Sequence, residues 1–335
     1  MAAGNGRRSS RSAPRGGPPF VRHPDNPIID VRALPYPANT VFNPGAAHID
    51  GDTILLMRVE DRRGISHLTV ARSADGVTDW RIDPEPSFRP APRRHPEEIW
   101  GVEDPRLTWL PELEAWAVAY TAYSRRGPLV SLATTNDFRT FTRLGPAMPP
   151  EDKDAALFPR RIGDRWALIH RPTPLHGAAH IWVSFSPDMR HWGDHTLLLE
   201  ARDGAWWDAV KVGLGPPPLE TPEGWLLMYH GVHHTASGAL YRVGLALLDL
   251  DDPTRVIRRC DEWVMSPSEP YERTGDVVGV VFPCGWVVDP EDGELRVYYG
   301  AADTSIGLAT ADLGAVLSFV RRCPAPGRRR ATDEP

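Results

Sequence analysis

The chain has 335 residues, with 38 Lys and Arg against 44 Asp and Glu and a formal net charge of −6. Hydrophobic residues at 41% and charged residues at 24% exclude wholesale disorder, and the mildly acidic balance gives no electrostatic case for a nucleic-acid binder. The 29 glycines and 35 prolines argue against a helical bundle and for many short strands joined by tight turns.

Residues 1–24 read as a disordered basic arm, because Arg7 and Arg8 are followed by no apolar core of a secretory signal. Five units of similar length follow over residues 25–320. In the first, FNPG (from Phe42) precedes TILLMRVED (from Thr53), which ends in Arg58, Glu60 and Asp61; ARSADGVTDW then turns at Asp75. The second holds GVEDPR with Asp104, WAVAYTAYS with Tyr120 and Tyr123, and a turn at Asp137. The third holds Lys153 and Asp154 in EDKDAALFP, His170 and Arg171 in RWALIHRP, and a turn at Asp188. The fourth holds Asp208 and Lys211 in WWDAVKVG, Tyr229 and His230 in GWLLMYHG, and a fainter turn at Asp251. The fifth holds Asp276, then LRVYYGAAD with Tyr299 and Asp303, and a turn at Asp312. Residues 321–335, with Arg328 to Arg330, read as a flexible tail.

Each middle segment follows a Gly- or Pro-containing turn, is rich in Val, Leu, Tyr and Trp, and is often apolar on both faces, as a buried central strand should be. Four-stranded units repeated five times around an axis predict an all-β, five-bladed β-propeller with about four antiparallel strands per blade. A pair of β-sandwiches is the competing arrangement, but its turn signals carry no higher period of ~60 residues. The longest nearly uncharged apolar stretch, residues 277–288, contains Pro283 and is too short for a bilayer, which needs ~20 residues. Cys260, Cys284 and Cys323 are too few and dispersed for a disulfide framework or zinc cluster, so a cytoplasmic protein without a bound metal is expected.

In a propeller the innermost strands line an axial channel, and corresponding positions of every blade converge at its mouth. The polar groups opening the first strands and closing the second strands occupy such positions. For any one of them a bland account exists: Asp104 before Pro105 could cap a turn, and Glu103 or Arg106 could form an ordinary blade salt bridge. Together they have the chemistry of a sugar site with an anion site beside it. Asn43, Asp61, Asp104 and Asp303 suit hydroxyls, with Arg58 able to bridge two carboxylates. Lys153, Arg171, Lys211 and His230 offer donors to a dianion such as phosphate.

FNPG, RVED, GVEDPR, ALFPR, HRP, the Trp207–Asp208–Lys211 segment, YHG and YGAAD, in this order, resemble glycoside hydrolase family 130 over almost the whole chain. The resemblance implies a five-bladed propeller and an inverting β-mannoside phosphorylase that yields α-mannose 1-phosphate. Asp104 would be the general acid, acting through a hydroxyl of the mannosyl unit. Asn43, Arg58, Asp61 and Asp303 would hold the sugar, and Lys153, Arg171, Lys211, Tyr229 and His230 the phosphate. Lys153 in place of an arginine would lose a bidentate fork. The implied partners are a β-mannoside and inorganic phosphate as co-substrate, with no cofactor, nucleic acid or membrane; the basic tails could mediate a homo-oligomer.

A β-mannoside hydrolase of the same fold is the alternative, and a non-catalytic glycan-binding propeller a third. An inverting hydrolase needs two carboxyl groups ~6.5–9.5 Å apart to activate water. Phosphate is already a nucleophile and needs only neutralisation and aim, so one carboxylate plus a basic cluster favours phosphorolysis. Linkage, β-1,4 or β-1,2, and acceptor depend on loops 172–180, 233–241 and 268–275.

Overall fold

The computed structural model describes residues 18–326 other than residue 237. Its strands form five antiparallel sheets, four of four strands and one of five, which is the five-bladed propeller expected from the repeat. The first three blades are contiguous in sequence. They begin at Thr40–Ile49, Val102–Leu110 and Asp152–Leu157, and continue outward through three further strands each. The fourth begins at Lys211–Leu214 and carries Leu219–Thr221 as an extra strand on its second strand, Gly224–Thr235. The fifth runs through Val281–Val288, Glu294–Ala301 and Ser305–Asp312.

The alternation of side chains along a strand explains how the blades cohere. In the second strand of blade 1, Ile54 and Leu56 enter the seam with blade 2, while Leu55, Met57 and Val59 enter the seam with blade 5. A segment apolar on both faces is therefore a strand with a neighbour on each side. Five buried clusters fill the five seams, and the one between blades 4 and 5 also takes Val316 and Val320 of the C-terminal helix Leu313–Arg322.

The recurring turn aspartates share one device. Asp75, Asp137 and Asp188 each accept hydrogen bonds from the backbone N–H groups two and three residues on. In blade 4 this residue is Asp249, which accepts from Asp251 and Asp252, so the expected Asp251 is displaced by two positions. Asp312 instead caps the C-terminal helix through Ala315 N–H.

The termini depart from expectation. Val21–Arg22 pairs with Ala309 and Thr310 and supplies the outermost strand of blade 5. The ring is thus closed by its own N-terminal segment, and residues 18–24 are part of the propeller rather than an arm. Similarly, the helix runs to Arg322, Arg259 N–H donates to the Pro324 carbonyl, and the thiols of Cys260 and Cys323 lie 2.9 Å apart. The basic runs at 1–17 and 327–335 lie outside the described residues. Arg22 donates to both oxygens of the buried Glu272 carboxylate, at 2.6 and 3.0 Å. Among the described residues, Arg22→Ala leaves that carboxylate with only Tyr299 and two backbone donors, so a loss of about 1–3 kcal/mol is expected, read as a lower urea midpoint at unchanged slope.

Candidate active site

The first strands do more than line the axis. Those of blades 1, 2 and 3 each carry a β-bulge, between Phe42 and Gly45, Glu103 and Arg106, and Lys153 and Ala156. Inside each bulge sits one residue in the left-handed region: Asn43 (φ 44°), Asp104 (φ 49°) and Asp154 (φ 54°). Asn and Asp are the non-glycine residues that tolerate this conformation best, and a bulge re-aims a side chain out of the strand's alternation. All three side chains face one cavity of about 360 Å³ at the end of the axis. Gly300 of YGAAD packs so closely on Asn43 that any side chain there would collide with the amide oxygen.

Asp104, 2% exposed, accepts from Asn43 Nδ2 at 2.8 Å and from Arg58 Nη1 at 3.0 Å, both on Oδ1. Its Oδ2 accepts from none of the described residues. The other terminal nitrogen of Arg58 donates to Glu103, whose second oxygen lies 3.9 Å from Lys153 Nζ. Burial pushes the Asp104 carboxyl up, but Arg58, Lys153 and Arg106 together with the Asn43 hydrogen bond outweigh it and hold the group below its ordinary range. Asp303, on the blade 5 hairpin with φ 50°, also lines the cavity. Burial, only partly offset by Arg58, and the nearby Asp104 charge raise it to about 6. The two carboxyl groups thus have proton affinities driven apart, a pattern typical of acid–base sites.

Lys153, Arg171, Lys211 and His230 line the same cavity. Arg171 grips Asp154 Oδ2 through Nε and Nη2 at 2.8 and 2.7 Å and donates to Thr173 through Nη1. Behind it, Asp152 accepts from the Arg171 backbone and lies 2.6 Å from His170 Nδ1, which anchors the strand end. Lys211 forms no ion pair with a described residue and sits 5.0 Å above the Tyr241 ring. Burial, with Arg171 and Lys153 beside it, lowers its ammonium to about 8. His230 packs on Phe282, and burial lowers its imidazole to about 3 despite Asp154 at 3.6 Å. It is therefore a neutral ring rather than a cation, and neither buried ring nitrogen has a hydrogen-bond partner among the described residues.

Of the residues expected at the site, Asn43, Arg58, Asp104, Asp303, Lys153, Arg171, Lys211 and His230 line one cavity, and two do not. Asp61 lies in the turn after the second strand of blade 1, where it accepts from Arg63 and Ile65 N–H. Tyr229 shares strand parity with Trp225 and Leu227, so it enters the seam with blade 3, stacks on Trp207 and donates to Asp208. Neither is placed to touch a ligand in the cavity.

Seven further residues shape the site without having been assigned to it from the sequence. Asp154 is the counter-ion at the centre of the basic wall. Arg106, fully buried, donates to the carbonyls of Asp104, Leu214 and Gly215 and so ties blade 2 to blade 4 behind the cavity. Tyr123, Glu151, Thr173, Tyr241 and Phe282 complete the rim and walls. The aspartate that precedes Ala155 in DKDAALFP, at the position matching Asp104 before Pro105, was the signal available for the first.

A propeller with a carboxylate, a guanidinium and a cationic wall converging on one concave cavity defines a carbohydrate-active enzyme that also handles an anion. A family model described as β-1,4-mannooligosaccharide phosphorylase matches residues 22–322. The chain belongs to glycoside hydrolase family 130. It is 34% identical over 311 residues to the β-1,4-mannooligosaccharide phosphorylase of Ruminococcus albus, covering 90% of each chain. It is 36% identical to the β-1,2-mannobiose phosphorylase of Listeria innocua over 254 residues, 76% of this chain and 68% of the relative. The solved complex of a Listeria innocua β-1,2-mannobiose phosphorylase with β-1,2-mannobiose superimposes with a TM-score of 0.81 at 29% identity, covering 90% and 99% of the two chains. A further solved relative, from work reporting that the family contains hydrolases targeting β-1,2-mannosidic linkages in Candida mannan, matches with a TM-score of 0.77 at 28% identity, covering 89% and 95%.

Proposed function

We propose that this protein is an inverting phosphorylase of β-mannosides that releases α-mannose 1-phosphate. The observation that carries this reading is the cationic wall of Lys153, Arg171 and Lys211 in the cavity that Asp104 enters with one free oxygen. In this reading Asn43, Arg58 and Asp303 hold the mannosyl unit. Phosphate bound on the wall attacks C1 from the face opposite the glycosidic oxygen; the C1–O bond to the acceptor breaks as the C1–O–phosphate bond forms. The proton for the departing oxygen comes from Asp104 by way of a mannosyl hydroxyl.

An acid must hold a proton, and in the empty site Asp104 is ionised. Binding resolves this conflict. A phosphate dianion on Lys153, Arg171 and Lys211 neutralises Lys153, one of the cations that depress Asp104, and adds negative charge, while the sugar excludes water. Both effects raise the proton affinity of Asp104, so the acid is armed only in the ternary complex. No base is required, because phosphate needs orientation rather than deprotonation.

The hydrolase reading asks for a second carboxyl group placed to activate water, and Asp303 or Glu151 would have to serve. Both line the cavity, but neither accounts for three cations on one wall. Incubating the protein with β-1,4- and β-1,2-mannobiose, with and without phosphate, decides between them. Mannose 1-phosphate formed only with phosphate is the expected product; free mannose released at a phosphate-independent rate would overturn the reading.

A further inference from the structure

Trp100 stands immediately before the first strand of blade 2, at the same end of the propeller as the cavity. It is 45% exposed. Its backbone N–H donates to the Tyr123 carbonyl and Tyr123 N–H donates to the Gly101 carbonyl, so both residues ride on a hydrogen-bonded extension of the blade rather than on a free loop. The two rings lie 6.1 Å apart at 40°, and Tyr123 in turn lines the cavity. The Tyr123 hydroxyl has no hydrogen-bond partner among the described residues.

Other exposed tryptophans have evident packing roles. Trp109, at the far end of the same strand, packs on Trp116, which continues into Phe138 of the core. Trp263 is covered by the Arg242 guanidinium at 4.0 Å. Trp100 has a single ring partner among the described residues, and that partner faces the cavity. At about 360 Å³ the cavity lies at the low end of ligand pockets, enough for a short glycan with its phosphate, so further sugar units must leave across the rim.

We propose that Trp100, backed by Tyr123, is a distal sugar-binding platform that takes the outer, reducing-end units of a manno-oligosaccharide three or more units long. The inference rests on the phosphorolysis reading above, which seats the non-reducing mannosyl unit beside Asp104 and sends the rest of the chain outward. A pyranose presents one face of C–H groups, and a flat indole rigidly mounted at low entropy cost suits it, while hydroxyls of the same unit reach the free Tyr123 hydroxyl.

The test is calorimetric titration of the full chain, without phosphate, with manno-biose and manno-tetraose in both linkages. The wild type is expected to bind the tetraose roughly tenfold more tightly than the biose, the order given by removing one ring face from water. Trp100→Ala should bring that ratio close to one, Trp100→Phe should retain most of it, and Trp109→Ala should leave it as in the wild type. A wild-type ratio near one, or a ratio that Trp100→Ala does not change, overturns the platform. Turnover of the same glycans with phosphate is followed in parallel. Absent mannose 1-phosphate with an intact binding ratio overturns the phosphorolysis reading alone, and binding of neither glycan overturns both.

Discussion

Asp104→Asn is expected to lower the rate of phosphorolysis by at least ~10²-fold, the low end of what a general acid contributes, with a far smaller change in sugar affinity. The geometry makes this substitution informative. The oxygen of the new amide can still accept from Asn43 and Arg58, as Oδ1 does now, and the NH2 group takes the place of the free Oδ2. Arg58 also retains Glu103, so no cation is left unpaired. What disappears is the transferable proton. Single-turnover measurements at saturating phosphate and mannobiose would read the chemical step directly, and a variant within a few-fold of the wild type would remove Asp104 from proton transfer.

Loss of one cation from the wall should weaken apparent phosphate affinity by roughly ten- to a hundred-fold, since hydrogen bonds to an ionised partner contribute ~1.5–3 kcal/mol and ~1.4 kcal/mol is a decade. Lys211 is the place to make the change. Arg171→Ala would leave the buried Asp154 with only a long 3.5 Å contact to Arg106 as a hydrogen bond among the described residues, so its effect would mix folding with binding. Lys211→Ala strands no ion-pair partner among the described residues.

The pH dependence gives a second readout of the same side chain. An ammonium lowered to about 8 is charged below that pH and lost above it, so the KM for phosphate should be flat towards neutrality and rise above pH 8. Lys211→Arg keeps its charge throughout and should abolish that limb. Unchanged phosphate dependence in Lys211→Ala would place phosphate elsewhere.

Much of the fold was legible in the chain because a propeller repeats its physics. A segment apolar on both faces must be flanked by two sheets, a small-polar-Asp turn must cap itself, and five such units must close into a ring. Closure itself was not legible. The pairing of Val21–Arg22 with Ala309 and Thr310 joins residues almost three hundred positions apart, and two residues carry no periodic signal. Nor does the chain distinguish Asp249 from the expected Asp251, since both stand in one acidic run and only the turn's hydrogen bonds separate them.

The sequence by itself determined the class of chemistry. Asn43, Arg58, Asp104, Lys153, Arg171, Lys211, His230 and Asp303 stand at strand ends where burial of polar groups is costly unless they are paired or used. Only the tertiary structure decided which of the candidates meet. Strand parity sends Tyr229 into a seam one residue away from His230, and a turn keeps Asp61 to its own backbone. The bulges that turn Asn43, Asp104 and Asp154 toward the axis, the burial that leaves His230 neutral and the charges that keep Asp104 ionised exist only once five blades bring those groups within a few ångströms. Side-chain direction and proton affinity are set by neighbours distant in sequence, and a linear pattern carries residue type and period but not those neighbours.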